Sequence, residues 1–163
     1  MSPLFALALA FSAAVNALDG AAKAALPGHH RTPTIAILPF VNSNQEAQKD
    51  GLGMSVAAMF GTHLKNETSF SVLERSQIAK IVDEQTFESS GLTDLQRQQL
   101  GKLKQVEVVL TGEVSRFGAL VQMDARLVSV ETGQVLVAEY ASIDGYAKLR
   151  ESVVKISKTL ELK

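Results

Sequence analysis

The sequence predicts a single α/β domain. Its sheet is mixed and five-stranded, with a parallel start and an antiparallel C-terminal meander, and helices pack on it. Three observations carry this. Residues 34–41 (TIAILPFV) form a short run of β-formers that is apolar on both faces, as a buried central strand is. The connections that follow are long enough for crossovers, so the early strands can run parallel. Residues 106–143 then hold three β-rich runs separated only by Gly118-Ala119 and by Glu131-Thr132-Gly133, which makes a meander.

Taken in order, Pro39 sits near the end of the first strand, where a missing ladder donor is tolerable. Residues 42–53 are polar and lead into a helix for which Asp50 is the candidate cap. Leu52, Val56, Met59, Phe60, His63 and Leu64 recur at helical spacing on one side of it. Residues 70–73 (FSVL) read as a second strand, followed by a helix marked by Ile78, Ile81 and Val82 and reaching about Phe87. Thr93 with Gln96 is a capping-box pattern, and a short helix through Leu95, Leu100 and Leu103 follows. In the meander, Val106, Val108, Leu110 and Val114 share one face of its first strand. Val121, Met123, Ala125 and Leu127 alternate with polar residues along its second. Gly133 supplies a turn residue free to take positive φ. The third strand covers residues 134–143. Asp144-Gly145 then opens a last helix, with Leu149, Val153, Ile156 and Leu160 facing in.

The N-terminus reads as a targeting segment. Residues 1–17 carry no charged side chain, and 4–15 (LFALALAFSAAV) form an apolar run too short to span a bilayer but right for a secretory signal. Small residues at Val15 and Ala17 suit cleavage, although no Lys or Arg precedes the run. Residues 18–33 read as a linker, punctuated by Gly20, Pro27-Gly28 and Pro33, and 34–163 as the folded domain. The expected location is therefore periplasmic or secreted, peripheral to the outer membrane, with no transmembrane segment in the mature chain.

Composition narrows the function classes. Lys+Arg is 16 against Asp+Glu 17, so no basic excess advertises nucleic acid or an anionic membrane. With no Cys there is no disulfide, thiolate catalysis, Cys-ligated zinc or Cys-borne lipid, and with no Trp there is little for bases to stack on. His29-His30 has no third ligand nearby and reads as polar linker, so no metal and no cofactor is expected. His63 reads as a packed or half-exposed helix residue rather than a base. No nucleophile motif occurs, and the chain is expected not to be an enzyme.

Four segments then fall in a recognisable order: IAILPF, FSVLERSQIAKIVDEQ, VEVVLTGEVSRFG and LVSVETGQVL. In this order, across about residues 34–143, the chain resembles the CsgG family, the curli assembly and transport component. Each segment alone is a weak pattern; the order gives the specificity. The resemblance implies an envelope location, this fold and protein partners. In pore-forming members, long insertions supply membrane hairpins between the first two meander strands and after the third. Here those places hold Gly118-Ala119 and Asp144-Gly145-Tyr146, where two strands of about 9–11 residues do not fit. The lipid-bearing Cys is also missing. The implied role is a non-enzymatic periplasmic interaction domain, accessory to assembly or export of a surface structure such as curli. The envelope proteins LpoB and FlgO have related domains, so a peptidoglycan synthase or a flagellar part is the alternative partner.

Candidate site residues follow. Glu74-Arg75 reads first as structural, with the Glu74 carboxylate at a helix N-terminus; the functional alternative makes Arg75 a partner or subunit contact. Val135, Val137 and Tyr140 on the last strand are candidates for an edge that recruits partners or further copies by strand addition, so a homo-oligomer is one expected state. Gly51, Gly53 and Ser55 open a helix where bare N–H groups could receive a phosphate, but no complete dinucleotide or P-loop pattern surrounds them. This small-ligand or nucleotide reading is the weakest of the three.

Overall fold

Residues Thr34–Ile37 form strand β1, with Ile35 and Ile37 buried in one apolar cluster and Ala36 in another, as the two-faced apolar run requires. They belong to a computed structural model that describes residues 32–80, 93–102 and 106–160. The signal-like segment, the linker with His29 and His30, the helix expected to reach Phe87, and Leu103 lie outside the described residues. β2 is Val41–Asn42, β3 Ser71–Val72, β4 Val108–Phe117, β5 Leu120–Ser129 and β6 Val135–Asp144. β3 and β4 flank β1 in parallel, and β4, β5 and β6 form the antiparallel meander. The order is β3–β1–β4–β5–β6, with β2 also parallel to β4.

Among the described residues there are thus six strands rather than five, because the run 34–41 breaks at Pro39. Ile37 pairs with Leu110 and Val41 with Glu113, so three residues of one strand face two of the other in a bulge. Pro39 has no N–H to give the ladder, and the Phe40 N–H leaves it to donate to the Gly53 carbonyl at 3.1 Å.

The described helices are α1 (Gln45–Asp50), α2 (Leu52–Glu67), α3 (Arg75–Ile78), α4 (Asp94–Lys102) and α5 (Leu149–Leu160), the last preceded by a 3₁₀ turn at Tyr146–Lys148. α1 is a correction to the sequence reading. Asn44 caps it by accepting from the Ala47 N–H at 3.0 Å, and Asp50 is its last residue rather than the cap of α2. Gly51, at φ 61°, ends α1 and starts α2, a conformation that favours glycine.

α2 and α5 cover one face of the sheet. Val56, Phe60 and Leu64 from α2 and Leu149, Val153, Ile156 and Leu160 from α5 pack with the inward residues of β5. Met59 and His63 are half-buried at the margin of that face. Ile78 of α3 and Leu100 of α4 pack on the other face with Ala36, Leu38, Val109 and Val130. Val106 belongs to this second cluster and not with Val108, Leu110 and Val114, because it precedes the pleated run.

The capping box of α4 forms as its sequence predicts. The Thr93 N–H donates to Gln96 Oε1 at 3.0 Å, and the Gln96 N–H to Thr93 Oγ1 at 3.3 Å. Leu95 is 66% exposed, so α4 is held through Leu100 and not through both leucines. Arg97 adds the polar tie: its guanidinium donates to the carbonyls of Val130 and, at 3.3 Å, Glu131. Arg97→Ala strands the partly buried Val130 carbonyl, the exposed Glu131 carbonyl turning to water, and is expected to cost about 1.5–3 kcal/mol, read from the midpoint of urea unfolding. Arg97→Lys should recover only part of it, since one ammonium cannot reproduce the fork.

Candidate functional site

β6 is the long edge of the sheet, with β5 on one side and no strand on the other among the described residues. The direction of its backbone groups follows from the ladder. The Leu38 N–H donates to the Leu110 carbonyl at 3.0 Å and the Ser43 N–H to that of Val114 at 2.9 Å. Even-numbered residues of β4 thus point away from β5, and odd-numbered ones pair with it. Alternation carried through the β4–β5 and β5–β6 registers turns the N–H and C=O groups of Ala138, Tyr140 and Ser142 outward.

Of the sequence candidates on β6, Tyr140 is 60% exposed and Val135 53%, while Val137 is only 8% exposed and belongs to the core. Val137 is therefore corrected from a surface to a core residue. Simple alternation would place Val135 and Val137 on one face. The register shift between Leu127 and Val128, which pair with Val137 and Val135, separates them.

A polar cluster closes the end of the sheet at the β4–β5 turn. The Tyr146 hydroxyl and the Arg116 guanidinium both donate to Asp50 Oδ2, and Arg116 Cζ lies 5.2 Å from the Tyr146 ring centre. Arg116 Nε also donates to the Gly118 carbonyl at 2.7 Å, and the Gly118 N–H to Glu46 Oε2 at 3.0 Å. α1, the β4–β5 turn and the 3₁₀ turn are so tied together. Sequence reasoning missed this cluster because its members lie far apart in the chain. One signal was present: Arg116 continues the inward-facing series Val108, Leu110, Val114.

Hydrogen bonding from the Tyr146 hydroxyl outweighs the opposing desolvation and, with lesser help from the Arg116 hydrogen bond and charge, holds the Asp50 carboxyl below its ordinary value of 3.8. The same bond, and then burial, raises the Tyr146 hydroxyl above its ordinary 10.0. A lowered carboxyl pKa contributes stability that is present above 3.8 and lost as pH falls through the folded value. The raised hydroxyl contributes below 10.0 and is lost as pH rises through its folded value. Asp50→Asn should therefore flatten the loss of stability below pH 3.8, measured as unfolding midpoints across an acid series.

The other candidates are placed as follows. Glu74 directly precedes α3, its carbonyl accepts from the Gln77 N–H at 3.0 Å, and its carboxylate meets Lys65 Nζ at 2.9 Å. That pair is well exposed and worth at most about 1 kcal/mol. The Arg75 side chain lies outside the described residues. At the Gly51–Ser55 turn, backbone donors are engaged within the protein: the Gly51 N–H with the Gln48 carbonyl at 3.1 Å, and the Gly53 N–H with Asn42 Oδ1 at 2.9 Å. A groove of about 290 Å³ between α2 and β3 is lined by residues including Met54, Ala57, Gly61, Val72 and Glu74. No helix among the described residues is long and apolar enough to cross a membrane.

An open mixed sheet with helices on both faces and, among the described residues, no strand beyond β6 defines a small α/β domain. The chain belongs to the CsgG family, described as the curli production assembly/transport component, whose profile matches residues 24–121, more than half its length. Its fold is similar to TolB from Acinetobacter baumannii (TM-score 0.54, 19% identity), covering 80% of this chain and 27% of that one, so the chain spans about a quarter of TolB. It is also similar to the PelC dodecamer from Paraburkholderia phytofirmans (TM-score 0.52, 15% identity), covering 83% of this chain and 90% of that one. No curated protein matches it.

Proposed function

We propose that this chain is a non-enzymatic protein-interaction domain of the bacterial cell envelope that takes its partner along the β6 edge. The observation that carries this reading is the edge itself: outward N–H and C=O groups at Ala138, Tyr140 and Ser142, flanked by the exposed side chains of Val135 and Tyr140. Unpaired edges of this length recruit strands. The family's description supports a role in assembling or exporting a surface structure such as curli. PelC, of similar fold, is a dodecamer, which supports assembly among copies as one form of the interaction. The two-residue β4–β5 connection, with its tip bonded to α1, supports an accessory role without the pore hairpins of larger members.

A photo-crosslinking amino acid placed at Val135 or Tyr140, and at the exposed Thr62 of α2 as a control, tests this in cells. The expected result is a protein adduct in the envelope fraction from the β6 positions and not from Thr62. Equal adducts from all three positions, or a chain confined to the cytoplasm, would contradict the reading.

A further inference from the structure

We infer that the strand received by β6 comes from another protein and carries a lysine or arginine with an apolar side chain two residues away on each side. This rests on the reading of β6 as the binding edge and names the chemistry of its partner.

The inner side of β6 carries Val137, Glu139, Ala141 and Ile143 in alternation, opposite the core residues Leu127, Ala125, Met123 and Val121 of β5. Val137 and Ile143 are 8% and 2% exposed, and Ala141 packs at the margin of the same apolar cluster. Glu139 interrupts this row. It is half-buried, its neighbour on β5 is Ala125, and beyond that lies Gly112 of β4. Neither can answer a carboxylate, and no cation pairs with Glu139 among the described residues.

An inward-facing charge guards an edge strand, because an apolar strand laid alongside buries that charge unpaired. The guard is selective. A strand that brings an ammonium or guanidinium group opposite Glu139 turns the cost into a cross-strand ion pair. Its apolar side chains at the alternate positions then continue the row of Val137 and Ala141. Main-chain bonds to Ala138, Tyr140 and Ser142 are open to any strand, so the residue opposite Glu139 decides between strands. An apolar–x–basic–x–apolar pattern reads the same in both directions and so serves parallel and antiparallel addition alike. A second β6 does not meet it, since VLVAEYASID holds no Lys or Arg.

Three labelled nine-residue peptides test this on the full chain. Each alternates valine and threonine, with valine at the odd positions, and has lysine, glutamate or leucine at its centre. In fluorescence anisotropy the lysine peptide is expected to bind more tightly than the leucine one. It should bind roughly 2- to 30-fold more tightly than the glutamate one, the difference between an opposite-charge and a like-charge cross-strand pair. It should also slow amide exchange at Ala138, Tyr140 and Ser142. Glu139→Lys should reverse the preference between lysine and glutamate, and Glu139→Gln should remove it. Three peptides that protect those amides with equal affinity overturn the inference and leave the edge reading standing. A lysine peptide that binds without protecting them overturns both. No binding of the lysine peptide at millimolar concentration overturns the inference, while a cellular adduct from Val135 or Tyr140 would still uphold the edge.

Discussion

Phe60→Ala is expected to cost about 3–5 kcal/mol, measured as the loss of unfolding free energy in denaturant. Phe60 is fully buried at the centre of the cluster beneath α2, and its ring stacks on Phe40 with centres 5.5 Å apart and planes 11° from parallel. Phe40 in turn lies over Gly112 of β4, where an added Cβ would come within 2.6 Å of its ring and 2.0 Å of the Asp124 carbonyl oxygen. The stack thus joins α2, the bulge after β1 and the meander. Alanine removes the ring from a place that three elements shape, and no one of them can close the gap alone. Phe60→Leu should recover much of the loss, because it keeps most of the buried volume.

Gly53→Ala is the second large effect, about 1–3 kcal/mol or more, with the loss read in the same unfolding experiment. An ideal Cβ on Gly53 falls 1.9 Å from the Phe40 carbonyl oxygen, a backbone atom that cannot swing aside. Gly53 is also tied to both neighbours of Val41, accepting from the Phe40 N–H and donating to Asn42. Gly51→Ala fails for a different reason: space is open there, but φ is +61°. The two glycines that resemble a phosphate-binding turn are accounted for by close approach and by chain direction.

The meander was legible because each signal in it is local. The alternation of Val121, Met123, Ala125 and Leu127, and the turn at Gly133 with φ 74°, depend only on nearby residues. The inward stripe of α5 and the capping box of α4 read correctly for the same reason. α1 was not legible. Its six residues, QEAQKD, bury only Ala47, so no apolar period announces it. The bulges at Pro39 and beside Val128 depend on what the neighbouring strand does, and they split one expected strand and turned Val135 away from the face that holds Val137. The Asp50–Arg116–Tyr146 cluster joins three distant parts of the chain, which only the folded sheet brings together.

The outer edge of β6 is proposed to take this domain's partner, whether another copy or a different envelope protein. Residue-resolved amide hydrogen exchange of the isotope-labelled chain, at rising concentration and in envelope extract, tests this most directly. Exchange at Ala138, Tyr140 and Ser142 is expected to slow in at least one of the two series, while Glu139 and Ala141, whose N–H groups face β5, stay unchanged. Outward amides that exchange at one rate in both series would contradict it.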